Sequence, residues 1–176
     1  MITYEKMMAS LALVDPTALR HASQLYLDGA ICDENGGELA AFFAAAADFQ
    51  DDVRNNIVET LSEAIENADN FLDCNLVVNA GGGGHLTAEA RSSFLIIKGH
   101  MTNLATMQDT PDDVCEPANR ALQAVCNLLN SESGGLADSN ACSCSDNALY
   151  PDVKDGLEAA LSLLGEPEPE ATPDLV

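Results

Sequence analysis

The sequence predicts an all-α protein: a helical bundle around one long helix, with a short β strand or hairpin and an extended C-terminal tail. Three observations carry that expectation. Between Glu38 and Asp73 apolar residues recur at steps of three and four, at Leu39, Phe42, Ala46, Phe49, Val53, Ile57, Leu61, Ala64, Ala68 and Phe71, with no Gly or Pro between them; that is helical spacing. Helix-start signals recur elsewhere, with a capping residue ahead of Pro or of an acidic first turn, at Asp15-Pro16, at Thr87 before Glu89, and at Thr110-Pro111-Asp112-Asp113. One β-prone stretch, Leu76-Val77-Val78, interrupts the helical pattern and leads into the glycine tract Gly81, Gly82, Gly83 and Gly84.

In chain order, Thr3 caps an expected first helix whose apolar side is Tyr4, Met7, Met8, Leu11 and Val14. Pro16 to about Leu27 forms a short second helix presenting Leu19, Ala22 and Tyr26, and Asp28-Gly29 ends it. The long helix, about residues 38–73, would measure roughly 50 Å at 1.5 Å per residue. Phe43, Val58, Ile65 and Leu72 widen its stripe into a face broad enough for a globular core. The competing reading ends one helix at Gln50-Asp51-Asp52 and starts another near Val53. A strand and glycine loop fill about residues 74–85. A helix over about 87–107 buries Ala90, Phe94, Ile97, Met101 and Leu104, and Gly99 inside it suggests a close helix crossing. The helix over about 111–130 shows Val114, Ala118, Ala121, Leu122, Val125, Leu128 and Leu129 on one side, with Pro117 making Glu116 its competing start. After a polar loop, residues 153–164 form the last helix around Leu157, Ala160, Leu161 and Leu164. The division is therefore one helical domain, 1–165, and a Pro/Glu-rich extension, 166–176, that cannot fold by itself.

The 176 residues are 47% hydrophobic, enough for one core. Acidic residues number 29 against 7 Lys and Arg, a formal net charge of -22. Sequence-specific nucleic-acid binding is excluded as an expectation, because neutralising phosphates needs clustered cations. Such acidity suits a saline medium, or a surface that stays soluble and meets a basic partner. Met1 to Val14 lacks the basic start and cleavage pattern of a signal peptide, and no window approaches a membrane span. The expectation is a soluble protein made in a reducing compartment, whose cysteines pack as small hydrophobes without disulfides.

Candidate chemistry is thin. Asp33 and Asn35 invite a calcium loop, but the positions that need Gly and Glu hold Glu38 and Ala44. The glycine tract is followed by His85-Leu86-Thr87, not the Lys-Ser/Thr that completes a phosphate loop. His85 and His100 have no carboxylate or thiol at ligand spacing, so neither receives a catalytic role. Cys142-Ser-Cys144 supplies two soft ligands where structural zinc needs four. No catalytic residue, metal or cofactor is expected. Partner contacts are expected instead at the strand edge and loop, Leu76, Val77, Val78 and Gly81 to Gly84, and in the tail at Pro167, Pro169, Leu175 and Val176.

One stretch, Ile57-Val-Glu-Thr-Leu-Ser-Glu-Ala-Ile-Glu-Asn-Ala-Asp-Asn-Phe-Leu72, carries small residues, the Ala68-Asp69 pair and Phe71-Leu72 just before an extended segment. With the helices that follow and the Ser133-Gly134-Gly135 turn, it resembles the head-tail adaptor, or connector, proteins of tailed bacteriophages, particularly the Mu-like group. Gly29 to Asp33 resembles the turn that precedes that family's helix. Two departures are Cys74-Asn75, where the family tends to show an Arg-aromatic pair, and the insertion-like stretch Gly37 to Asp52. The resemblance implies a structural virion protein at the head-tail junction, forming a ring of itself, commonly twelve copies, between the portal protein and the next neck or tail component. It implies no catalysis, and DNA passing through the ring. Two other classes stay open: an acidic helical binding module or chaperone for a basic partner, and a metal-binding protein using Cys142 and Cys144.

Overall fold

The computed structural model describes residues 16–31, 34–80, 83–131, 136 and 147–165. The expected helix over Tyr4–Val14, the Cys142/Cys144 loop and the tail lie outside them. The architecture is all-α with one small hairpin. Helix α1 is Pro16–Leu27 and α2 is Gly36–Glu66; a 3-10 segment, Ala68–Asp73, leads to strands β1, Val77–Ala80, and β2, Gly83–Leu86. Three helices follow: α3 is Ala88–Thr106, α4 Asp112–Ser131 and α5 Pro151–Leu164.

The start signals hold where chemistry fixes them. Thr87 Oγ1 accepts the Ala90 N–H at 3.1 Å and caps α3. Pro16 and Pro151 open α1 and α5, the latter two residues before the expected start. Gly29, at φ +68, stops α1 in the left-handed region that glycine reaches without Cβ strain. Pro117 lies inside α4, which begins at Asp112 and not at Glu116. The carbonyl that its missing N–H leaves free belongs to exposed Asp113, where water can reach it.

Helix α2 passes through Gln50-Asp51-Asp52 without a break, so the two-helix reading is set aside. Its 31 residues span roughly 46 Å. It ends at Glu66, earlier than Asp73, where the Asn67 N–H and side-chain amide both donate to the Glu63 carbonyl. The chain then tightens into the 3-10 segment, with Asn70 off helical geometry at φ -144 and ψ 55.

The core gathers the C-terminal half of α2 (Ile57, Leu61, Ala64), Phe71 and Leu72, Val77 and Leu86 of the hairpin, Phe94, Ile97 and Met101 of α3, Val125 and Leu128 of α4, and Val153 and Leu157 of α5. Helix α4 packs between α3 and α5, and α5 also lies against α2. The α4–α5 crossing is close because of Gly156: a Cβ there would overlap the Ala124 Cβ and lie 2.8 Å from the Arg120 carbonyl oxygen. At mid-length of α2, Arg54 donates to the carbonyls of Leu164 at 3.0 Å and Gly165 at 2.6 Å. A guanidinium placed there satisfies the open end of α5 and complements its dipole.

The N-terminal half of α2 leaves this core and forms an arm with α1. Ser23 Oγ donates to the Ala40 carbonyl at 2.8 Å, and Tyr26 stacks on Phe43 with ring centroids 6.0 Å apart. Arg20 reaches Asp48 at 3.1 Å and Asp51 at 2.5 Å. These exposed ion pairs set the register of the arm more than its stability. Here the expected burial pattern is corrected. Ala40 and Ala47 are buried, whereas Phe42 and Phe49 are 64% and 43% exposed. Small residues face α1 because they let the two helices approach, and the larger rings of the stripe are left on the flank.

Candidate interaction surfaces

The hairpin is the first surface. Val77 pairs with Leu86, Val78 with His85, Asn79 with Gly84 and Ala80 with Gly83, in antiparallel register. Because side chains alternate across a strand, the Val77–Leu86 pair points into the core and the Val78–His85 pair points to solvent. Each strand has a strand neighbour on one side only among the described residues, and an outer strand edge can pair with another strand, although the Val77 N–H already donates to the Cys74 carbonyl at 3.2 Å. The Thr87 N–H donates to the Leu76 carbonyl at 2.8 Å and closes the base of the hairpin onto α3.

The residues expected to meet a partner are sorted by this geometry. Leu76 and Val77 are buried, so their side chains serve the core and only their backbone is left to meet a partner; Val78 is 52% exposed. Gly84 is no flexible tip: a Cβ there would lie 2.6 Å from Val77 Cγ1 and 2.7 Å from Leu72 Cδ2. Its missing side chain lets β2 settle onto the 3-10 segment. Gly83 belongs to β2, paired with Ala80. Gly81, Gly82, Pro167, Pro169, Leu175 and Val176 lie outside the described residues.

A second feature is an open groove of about 280 Å³ between α2 and α3, lined by Asp52, Val53, Asn56, Glu89, Ser93 and Ile96 among others. Ser93 is buried, and its hydroxyl donates to Asn56 Oδ1. An amide oxygen cannot take up that proton, so the pair holds α2 to α3 and does not activate a nucleophile. No group of three or more His, Cys, Asp or Glu side chains is placed to hold a metal ion among the described residues. Cys74, Cys115 and Cys126 are free thiols, and burial pushes the Cys74 thiol up from its ordinary pKa, as befits a small core hydrophobe. No described helix is long and apolar enough to cross a membrane.

The fold also perturbs the titration of His100. Its Nδ1 is buried without a hydrogen-bond partner among the described residues, and desolvation holds its pKa below the ordinary 6.5. Above pH 6.5 the ring is neutral in folded and unfolded chains alike. As pH falls through 6.5 the unfolded chain takes the proton first, so stability is lost in the window from 6.5 down to the depressed folded value. The fall in urea midpoint between pH 7.5 and pH 5 is expected to be smaller in His100→Gln than in the parent, with carboxylate titration common to both. Parallel falls would show that the ring does not titrate differently in the two states.

No family model matches the chain, and no curated protein and no solved structure shows significant similarity to it.

Proposed function

We propose that this chain is a structural subunit that assembles with copies of itself into a ring joining a phage capsid portal to the next neck or tail component. The observation that carries the reading is the β1–β2 hairpin, a two-stranded sheet with Val78 exposed on its solvent side, seated by the close approach at Gly84 and by the bond from Thr87 to Leu76. A mount of that kind suits strand addition by an adjacent subunit. The sequence likeness over Ile57 to Gly135 supplies the class of assembly. The charge of -22 fits a ring through which DNA passes without adhering, because like charges repel phosphate. In this reading the protein is not an enzyme and works at the head-tail junction of the virion.

The test is native mass by light scattering, alone and with portal protein, on the parent chain and on Val78→Asp, with metal content read on the same samples. The parent is expected to form a metal-free ring, or to enter one when portal is added. Val78→Asp, altered at an exposed position, is expected to stay folded and to lose ring entry at least tenfold in concentration. A monomer that ignores portal and captures a basic protein would replace the reading with an acidic binding module. Stoichiometric zinc on such a monomer would redirect attention to Cys142 and Cys144.

A further inference from the structure

Neither the core nor the hairpin accounts for the open groove between α2 and α3. Its floor is buried Ile96 with buried Ser93 beside it, half-buried Val53 forms a wall, and Asp52, Asn56 and Glu89 stand exposed at the rim. The Ser93 hydroxyl donates to Asn56 Oδ1 across the two helices, so the groove is formed before anything enters it. The two carboxylates come from different helices, and neither is paired with a cation among the described residues. No Lys or Arg is among the residues that line the groove. Arg54, next to Val53 in the chain, is directed to the Leu164 and Gly165 carbonyls, and Arg20 is held by Asp48 and Asp51.

We propose that this groove seats an arginine side chain from a basic segment of another protein. The inference does not rest on the ring reading. Charge complementarity is the first argument: two unpaired carboxylates face one groove in a chain of net charge -22, so a cation entering there meets attraction from both walls and from the surface around them. Shape is the second. A guanidinium carries five donors in a planar fork and can answer two carboxylates at once. Its aliphatic stem lies along Val53 and Ile96 while the charged head stays wet at the rim. Size is the third. The groove holds about 280 Å³, just under the roughly 300–1,000 Å³ of small-molecule and cofactor sites. That is room for a side chain.

Two rival occupants fit less well. A bare metal ion gains nothing from an apolar floor, and no group of three or more His, Cys, Asp or Glu side chains is placed to hold one among the described residues. A second copy of this chain has only 7 Lys and Arg to offer and would bring a further net charge of -22 to the same acidic rim, where like charges oppose the approach.

Amide chemical shifts of the full chain, titrated with the peptide acetyl-Gly-Arg-Gly-Arg-Gly-amide at fixed ionic strength, test the proposal. The shifts are expected to concentrate over residues 52–56 and 89–96, and the same peptide with citrulline for arginine, alike in shape but uncharged, should leave those residues unmoved. Lysine in place of arginine should bind more weakly. In Asp52→Asn/Glu89→Gln the affinity should fall roughly tenfold, about threefold for each carboxylate, with the α4 and α5 resonances unchanged. If the double variant disturbs the fold, Asp52→Asn alone, exposed at mid-length of α2, should still show its share of the loss. Asp152→Asn/Glu158→Gln removes as much charge from exposed positions of α5 and should leave the affinity unchanged. An equal loss in that control would overturn the proposal in favour of a general field. Absence of shifts in the groove would overturn it outright. Groove resonances that move with the chain's own concentration before peptide is added would also overturn it and assign the groove to a second copy.

Discussion

Phe71→Ala is expected to cost about 3–5 kcal/mol, the range for deleting a fully buried aromatic side chain. Phe71 has no exposed surface, and its neighbours do not belong to one element that could close over a cavity. Its own N–H donates to the Asn147 carbonyl at 2.9 Å, and two residues on, the Leu149 N–H donates to the Ala68 carbonyl at 2.7 Å. The 3-10 segment and the entry to α5 are therefore pinned together around the ring, and the backbone cannot collapse into the space without breaking those bonds. Leu72, next along, is the side chain against which Gly84 packs, so loss of the ring should loosen the hairpin too. Urea denaturation would read the effect as a lowered midpoint with the slope retained. Phe71→Leu, which keeps most of the volume, should cost about 1–2 kcal/mol. Equal small losses in both variants would mean that the joint is more compliant than its bonding implies.

The same residue shows where sequence reading succeeds and where it stops. Phe71 reads as core from its place in the apolar stripe, and it is core. The stripe also suggests that the helix continues to Asp73, because Ala68, Phe71 and Leu72 keep helical spacing. The chain nevertheless leaves the helix at Asn67, drawn by pairing with Asn147 and Leu149. Those partners lie far along the chain, in a stretch whose local signals indicate only a loop, with Asn147 itself in the left-handed region at φ 56. Local propensity had no access to that contact. Capped starts such as Thr87 and Pro16 were legible because the residues that make the bond or fix φ are adjacent in sequence.

At the interaction surface the division is similar. A short strand beginning near Leu76 to Val78 followed from β-prone residues before glycines, but which side chain faces out depends on register, and the pairing of Val77 with Leu86 is what puts Val78 in solvent. In the arm, hydrophobicity named Phe42 and Phe49, whereas the packing of α1 on α2 selected Ala40, Ala47 and Ser23 for their small size. Periodicity reports which residues are apolar, and helix separation decides which of them a given neighbour can touch.

Gly156 is the other position where a single atom should matter, and within an amphipathic helix that also carries Asp152, Lys154, Asp155 and Glu158 its sequence signature is only that of a weak helix former. Gly156→Ala is expected to destabilise by about 2 kcal/mol. Overpacking costs about 1–3 kcal/mol, and the upper end applies because the obstacles are the Ala124 Cβ and the Arg120 carbonyl, neither of which can rotate away. Against that, alanine in place of glycine returns up to about 1 kcal/mol of helix propensity. The two terms have opposite sign, and the measured sign decides between them. If α4 and α5 truly touch backbone to backbone, Gly156→Ala lowers the midpoint, and adding Ala124→Gly recovers part of the loss, with a favourable coupling in the double-mutant cycle. Recovery stays incomplete because the Arg120 carbonyl is still in the way. A stabilised Gly156→Ala with no coupling to position 124 would instead mean that the helices stand further apart and that the glycine serves no crossing.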